Sequence, residues 1–138
     1  MDYPVYTFSS GPTNSLRGAS QLTKISNAIV LDIGGTTTDV AAIVDGFPRP
    51  ASAYVKIGGV RTNFRMPDTF SVALGGGSIV KFTPEGSVTI GPQSVGYQLK
   101  KQAMCFGGQV LTATDIIVAD GFELEGADRQ LVSHLTRE

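Results

Sequence analysis

Two aspartates flank a run of glycines and threonines between two apolar segments, in the stretch AIVLDIGGTTTDVAAIVDG, residues 28–46. Asp32 closes the first apolar run, Gly34-Gly35 and Thr36-Thr37-Thr38 follow, and Asp39 opens the second run. Consecutive backbone N–H groups in a glycine-rich turn form a concavity that binds anions. A carboxylate at a strand end can hold Mg2+ through water, because magnesium prefers carboxylate and water oxygens. These residue types suit the phosphates of a nucleotide and their metal ion.

Three phosphate-binding devices compete for this stretch. A Walker A loop needs a lysine after its glycines, and none follows here. A dinucleotide fingerprint needs G-x-G-x-x-G between a strand and a helix, whereas a second strand is predicted after this turn. A β-hairpin whose turn faces phosphate agrees with the sequence. A Gly-Gly pair is also ordinary hairpin chemistry, so both interpretations are open on spacing alone. The carboxylates beside apolar strands favour phosphate binding.

The elements around the turn are predicted as an α/β fold. Ser10 and Pro12 suit a helix start, and Leu16 begins an apolar stripe at three-residue spacing. The unbroken apolar runs predict strands covered on both faces. The predicted strands are Ala28–Ile33, Asp39–Val44, Ala53–Ile57, Phe70–Ala73 and Ser78–Phe82, with a short strand before the first helix and a hairpin turn in TPEGSVTIG.

Three helices are predicted in the second half. The segment PQSVGYQLKKQAMCFGG carries Val95, Leu99 and Ala103 at four-residue spacing. Thr114 is predicted as the N-cap of the next helix, with Asp115 in its first turn. The tail from Ala127 places Leu131, Val132 and Leu135 on one helical face.

Composition narrows the classes of function. The chain has 138 residues, 41% of them hydrophobic, and a net charge of −1, which gives nucleic-acid binding no electrostatic support. No apolar run approaches the ~20 residues of a membrane span, and the start lacks the layout of a signal peptide. The single cysteine, Cys105, fits a reducing compartment. We therefore expect a cytoplasmic protein.

Five ordered blocks resemble the hydantoinase/oxoprolinase family of the actin-like ATPase superfamily. They are SSGPTNSLRGA, DIGGTTTDV, GGGSIV, GPQSVGYQL and FGGQVLTATDIIVADG, and they run from about Phe8 to Gly121. The resemblance implies an actin-like (RNase H-type) half-domain, with a mixed sheet flanked by helices. Residues 1–138 would then be one domain or a central fragment carrying the second phosphate-binding hairpin. The family's first such hairpin and its adenosine-binding segment are not found in this sequence.

The resemblance also implies ATP and Mg2+ as cofactors and a reaction at a cyclic amide or a ketone. For a hydantoin or 5-oxoproline ring, phosphorylation of the carbonyl oxygen would let water open the ring. A sugar-kinase-like phosphotransferase fragment, or a non-catalytic domain used in subunit assembly, is the alternative. A second hydantoinase-type subunit and self-association are the expected protein partners, and the isolated chain is expected to be inactive.

Site residues follow from the matched motifs. Gly34, Gly35, Thr36, Thr37 and Thr38 match the turn that faces the ATP phosphates. Asp32 matches a carboxylate for metal-bound water or for orienting a nucleophile, and Asp39 is expected to brace the turn by accepting hydrogen bonds. Gly75, Gly76 and Gly77 are expected to line the same cleft. Thr112, Thr114 and Asp115 match a further block, which a helix cap explains nearly as well.

Other chemically capable residues are assigned to structure. His134, the single histidine, is expected at the surface or in packing. Cys105, between Met104 and Phe106, is expected to be a buried small hydrophobe. Arg61 and Arg65 are expected to be solvated loop residues. These assignments leave the Gly–Thr turn as the predicted chemical site.

Overall fold

The computed structural model describes residues 10–51, 54–63 and 66–135, together with all side chains in those ranges except those of Val55 and Ile57. The chain divides into two compact units. The first comprises Met1–Asp32 and Asp39–Ser71, and the second comprises Ile33–Thr38 and Val72–Glu138. The predicted strand before the first helix lies outside the described residues.

The first unit contains helix α1, Ser10–Thr23, and a sheet built on strands β1, Ala28–Ile33, and β2, Thr38–Val44. Strand β3, Phe47–Pro48, pairs with the end of β2 in antiparallel register through an Asp45-Gly46 turn. Both turn residues have positive φ, as the two-residue hairpins that match strand twist require. Leu16 is buried, but Leu22 is 86% exposed and Ile25 lies beyond the helix and is 50% exposed, so the predicted apolar stripe is wrong beyond its first turns.

Further strands complete the first unit. Strand β6, Thr69–Val72, pairs with β2, so the predicted strand near 70–73 is confirmed with a shift of one residue. Strands β4, Val55–Ile57, and β5, Val60–Thr62, form a separate antiparallel hairpin. Strand β4 is shorter than predicted, and β5 was not predicted because it holds only three residues.

Strand β1 corrects one prediction. Its burial alternates along the strand, and Ile29, Leu31 and Ile33 are 69%, 60% and 69% exposed. The expectation that both faces of this strand are covered is therefore wrong for this chain. The alternation is that of a strand with one face packed and one face open.

The second unit contains a long hairpin and a small helical core. Strands β7, Ser78–Phe82, and β8, Val88–Ser94, pair in antiparallel register, as predicted from TPEGSVTIG. Helix α2 covers Leu99–Gln102, helix α3 covers Ala113–Ala119, and 3-10 turns cover Gly96–Gln98, Met104–Phe106 and Arg129–Leu135. A cluster of Ala103, Cys105, Val118, Ala119 and Val132 forms the core.

The predicted helix over residues 92–108 is wrong. Strand β8 continues through Ser94, and Gly96 has φ +55, a left-handed conformation that prevents a continuous α-helix across this position. Ala103 is extended, with ψ 145, and ends the single turn of α2. The four-residue apolar spacing arises because Leu99 and Ala103 both pack on the core from consecutive short turns.

The tail forms a 3-10 helix, and only part of its predicted apolar face is buried. Val132 is fully buried and Leu135 packs against the core, whereas Leu131 is 45% exposed. The mixed α and β composition confirms the predicted fold class. Within the described ranges, no helix is long and apolar enough to cross a membrane.

Candidate functional site

The Gly–Thr segment forms a tight, exposed turn between β1 and β2. The Gly34 N–H donates to the Thr37 carbonyl at 2.9 Å, which closes the turn. Residues 34 to 37 are all exposed. This turn belongs to the second unit, where its contacts are made.

The glycine triplet of residues 75–77 supports this turn by backbone hydrogen bonds. The Gly76 N–H donates to the Gly34 carbonyl at 3.0 Å, and the Gly77 N–H donates to the Gly35 carbonyl at 2.8 Å. Gly75 and Gly77 are buried. The triplet therefore holds the turn from one side.

Close approach of the two segments requires glycine in the triplet. A Cβ on residue 75 would lie 2.5 Å from the Gly34 carbonyl oxygen, and one on residue 77 would lie 2.8 Å from the Gly35 carbonyl oxygen. A Cβ on residue 35 would meet no atom within 4 Å. Gly35 thus leaves the outer side of the turn open.

Several donors of the turn have no partner in residues 10–51, 54–63 and 66–135. They are the backbone N–H groups of Gly35, Thr36 and Thr37 and the hydroxyls of Thr36 and Thr37. The Thr38 hydroxyl is engaged, since it donates to the Leu74 carbonyl at 2.6 Å. An exposed loop with three free N–H donors and two free hydroxyls has the donor set that a phosphate group needs.

The two aspartates differ in their surroundings. Asp32 is half-buried in β1, and its carboxylate has no hydrogen bond or ion pair to the described part of the chain. Asp39 accepts a hydrogen bond from the Ser71 hydroxyl on β6, so the contact found for it is with a neighbouring strand. No cluster of three metal-ligating side chains occurs among the described residues. A magnesium ion at Asp32 would need its other oxygen ligands from water or phosphate.

Ser94 is a contact of the turn that the sequence prediction missed. Its hydroxyl donates to the Gly35 carbonyl at 3.2 Å and accepts a hydrogen bond from the Gly96 N–H at 3.0 Å. Ser94 lies in GPQSVGYQL, one of the five blocks that resemble the family. Its contact with the turn was missed because this residue was predicted to lie in a helix. The strand that carries it is antiparallel to β7, which follows the glycine triplet.

Residues 112–115, the block TATD, hold the glycine triplet in position. The Thr114 N–H and hydroxyl both donate to the Gly76 carbonyl, at 2.9 and 2.8 Å. Thr112 rather than Thr114 is the N-cap of α3, and Asp115 is the third helical residue of a capping box. The prediction of Thr114 as N-cap is therefore wrong by two residues. The Thr114 side chain is committed to Gly76.

Asp115 is fully buried, and its carboxylate accepts three hydrogen bonds. The donors are the Cys105 N–H at 2.7 Å, the Thr112 N–H at 2.7 Å and the Thr112 hydroxyl at 2.8 Å. Burial, followed by the hydrogen bond and charge of Asp115, raises the pKa of the Cys105 thiol to about 12. The predicted role of Cys105 as a buried small hydrophobe is confirmed.

The remaining candidates do not join the turn. His134 is exposed in the last turn of the C-terminal 3-10 helix. Arg61 is an exposed residue of strand β5. Its guanidinium stacks on the Tyr54 ring at 3.7 Å. Arg65 lies outside the described residues. Of the candidates in the described residues, the Gly–Thr turn is the one on which the polar contacts converge.

A sequence profile of the family described as Hydantoinase/oxoprolinase matches residues 2–122. The chain belongs to the hydantoinase/oxoprolinase family. The match includes the Gly–Thr turn, the glycine triplet, Ser94 and Thr114.

Relatives of this hydantoinase/oxoprolinase chain act in ATP-dependent systems or carboxylations, according to their names. It is 33% identical over 120 residues to the acetophenone carboxylase gamma subunit of Aromatoleum aromaticum, covering 84% of this chain and 16% of that subunit. It matches the nucleotide-free structure of an acetone carboxylase, from work on ATP-dependent acetone carboxylation, with a TM-score of 0.68 and 26% identity. It matches the ATP-dependent caprolactamase of Pseudomonas jessenii with a TM-score of 0.64 and 25% identity.

The structural matches cover 91% and 94% of this chain but 19% and 20% of the solved chains. The hydantoinase/oxoprolinase chain therefore spans a fifth or less of the length of these relatives. The fold of this chain is common to the two solved structures over the matched parts.

Proposed function

We propose that this chain supplies a phosphate-binding turn to an ATP-dependent enzyme that activates the carbonyl group of a small molecule. In this proposal, residues 1–138 carry the second of two phosphate-binding hairpins. One observation supports it above the others. The exposed turn presents the N–H groups of Gly35, Thr36 and Thr37, which have no partner within the described residues, while its glycine carbonyls accept from the triplet behind it.

The residues of the turn would bind and orient phosphate oxygens. The three N–H groups donate without reorganisation because the Gly34–Thr37 hydrogen bond already closes the turn. The hydroxyls of Thr36 and Thr37 add two donors. Gly35, where a side chain would face open space, leaves room for close approach to the backbone. When bound, ATP supplies the phosphoryl group that makes a carbonyl carbon open to attack.

Asp32 is proposed as the carboxylate that holds Mg2+ through water or orients a nucleophile. Its position at the end of β1, two residues before Gly34, and its lack of a protein partner among the described residues support this role. A carboxylate with water and phosphate oxygens suits magnesium, which is rarely held by protein ligands alone. Asp39 is proposed to brace β2 through Ser71.

A cyclic amide of the hydantoin or 5-oxoproline type is the proposed substrate. The ATP-dependent caprolactamase, whose name specifies a lactam, supports this class. A ketone is the second candidate, because the 33% identical relative is an acetophenone carboxylase subunit. Both classes present a carbonyl oxygen to be activated. Phosphate release from Mg·ATP that depends on the cyclic amide would support the first, and release that depends on ketone and bicarbonate would support the second.

A second hydantoinase-type subunit is the proposed protein partner. The acetophenone carboxylase relative is named as a gamma subunit, and therefore works in an assembly. Self-association of this chain is proposed as well, on the exposed apolar residues of β1. We propose that the substrate is contacted largely by segments outside the described residues.

An amide NMR titration of the chain with Mg·ATP tests the proposed function. Saturable shifts at Gly34 to Thr38 are expected, and Asp32→Asn should weaken them if Asp32 holds the metal. Asp45→Asn, which removes an exposed carboxylate from a different turn, is the matched control and should leave the titration unchanged. Absence of saturable shifts at the turn in the wild-type chain would contradict the proposal.

A further inference from the structure

The two glycine carbonyls of the turn point towards one set of donors. The Gly34 carbonyl accepts from the Gly76 N–H at 3.0 Å. The Gly35 carbonyl accepts twice, from the Gly77 N–H at 2.8 Å and from the Ser94 hydroxyl at 3.2 Å. All of these groups belong to the second unit.

Because the peptide unit is planar, these contacts of the carbonyls also fix the direction of the N–H groups opposite them. In a planar trans peptide, the C=O and N–H bonds of one unit point in opposite directions. Anchoring the Gly34 carbonyl therefore turns the Gly35 N–H away from the triplet. Anchoring the Gly35 carbonyl turns the Thr36 N–H away in the same manner. These are two of the three N–H groups that have no acceptor among the described residues.

We infer that Ser94 and Thr114 are positioning residues, which set the direction of the Thr36 N–H group through the Gly35 carbonyl behind it. This inference rests on the proposed function of the turn as a phosphate site. Ser94 acts directly on the Gly35 carbonyl. Its hydroxyl is itself held by the Gly96 N–H at 3.0 Å, which leaves its own proton for that carbonyl.

Thr114 acts one step further back. Its N–H and hydroxyl both donate to the Gly76 carbonyl, and the N–H of the same peptide unit, that of Gly77, donates to the Gly35 carbonyl. Thr114 is buried, with 4% of its surface exposed, so loss of its hydroxyl is not replaced readily by water. The first residues of α3 and the end of β8 thus hold one peptide plane, that of the Gly35 carbonyl and the Thr36 N–H, by separate hydrogen bonds.

The shared plane predicts the same kind of effect for two variants. Ser94→Ala frees one bond to the Gly35 carbonyl and should change the orientation of the Thr36 N–H. Thr114→Val keeps the side-chain shape, loosens the Gly76–Gly77 peptide unit and should also change the orientation of the Thr36 N–H. Ser94→Thr retains the hydroxyl and should restore the wild-type orientation. Ser133→Ala, which also removes a hydroxyl-to-carbonyl hydrogen bond in this unit, is the control.

Residual dipolar couplings of the amide groups in the ligand-free chain measure these orientations directly. We expect Ser94→Ala and Thr114→Val both to change the Thr36 coupling, with the couplings of Gly35 and of β7 retained. Mg·ATP binding should weaken about three- to tenfold in Ser94→Ala, the range for loss of one hydrogen bond. Ser94→Thr should remain within about twofold of the wild type.

The proposed function and the positioning roles of Ser94 and Thr114 are tested separately. If the wild-type chain does not bind Mg·ATP, the proposed function fails, and the couplings still decide whether Ser94 and Thr114 orient the Thr36 N–H. An unchanged Thr36 coupling in Ser94→Ala would overturn the inference. So would an equal change in Ser133→Ala, or a Ser94→Thr variant that folds but behaves like Ser94→Ala.

Discussion

The carbonyl oxygen of Gly34 lies 2.5 Å from the position that a Cβ atom would take on residue 75. Real Cβ atoms do not approach a backbone oxygen so closely, so this pair of residues sets the distance between the turn and the triplet. The same virtual atom lies 2.7 Å from the Thr36 nitrogen. Glycine at position 75 is thus required by packing of backbone on backbone.

Gly75→Ala is expected to destabilise the chain by about 1–3 kcal/mol, the range for overpacking at a rigid contact. Gly11→Ala is the matched control, because a Cβ there meets no atom within 4 Å in helix α1 and should be neutral or stabilising. Urea denaturation followed by circular dichroism measures both. Equal stability of the two variants would contradict the steric argument.

Gly35→Ala is expected to preserve stability and reduce binding of Mg·ATP. The added Cβ meets no protein atom within 4 Å, and Gly35 is not among the residues with positive φ. It would occupy the open side, where a phosphate group must approach the backbone, so we expect affinity to fall at least about tenfold. Calorimetric titration beside a urea curve separates the two effects. Wild-type affinity would mean that phosphate does not approach the turn at residue 35.

Much of the hairpin that carries the turn was predictable from local pattern. The apolar runs of β1 and β7 give the observed bounds Ala28–Ile33 and Ser78–Phe82, because residues that favour strands are followed there by turn residues. The turn itself was predicted from Gly34-Gly35 and the threonines. Each of these features depends on neighbours in sequence.

What supports the turn was not predictable, because it depends on contacts between distant segments. The roles of Gly75 and Gly77 follow from backbone atoms about 40 residues away in sequence. Ser94 was assigned to a helix, since four-residue apolar spacing outweighed the glycine at 96, whose φ of +55 ends any such helix. Thr112 and Thr114 each suit a cap, and the structure distinguishes them by the capping box of Thr112 with Asp115 and by the bond of Thr114 to the Gly76 carbonyl.

Asp115→Asn is expected to reduce the free energy of unfolding by about 2 kcal/mol, because three buried donors lose their charged acceptor. The amide of asparagine keeps one oxygen but turns a donor towards groups that already donate. Asp120→Asn, at an exposed position after the same helix, is the control and should change stability little. Chemical denaturation of the pair gives the comparison. A loss no larger than that of the control would show that the capping box is not stabilising.

Stability is expected to fall with rising pH through the titration of Cys105. Burial and Asp115 raise the pKa of the folded thiol to about 12, from an ordinary value of 9.0. The unfolded chain therefore loses the proton first, so the contribution is complete below about pH 9 and is lost as pH rises towards 12. Cys105→Ala removes the titration. Between about pH 8.5 and 10.5, the free energy of unfolding of the wild type should therefore fall more steeply than that of Cys105→Ala. Parallel pH profiles would contradict the raised pKa.

The exposed face of β1 predicts concentration-dependent self-association. Leu31 is 60% exposed between Ile29 and Ile33, both 69% exposed, and side chains two residues apart share one face of a strand. A charge in the middle of this row should favour the separate chains, so Leu31→Lys is expected to elute from a size-exclusion column as a monomer at concentrations where the wild type elutes earlier. Leu22→Lys adds the same charge at an exposed leucine of α1 and is the control. A wild-type chain that stays monomeric over the whole concentration range, or a Leu22→Lys variant that dissociates equally, would remove β1 as the contact.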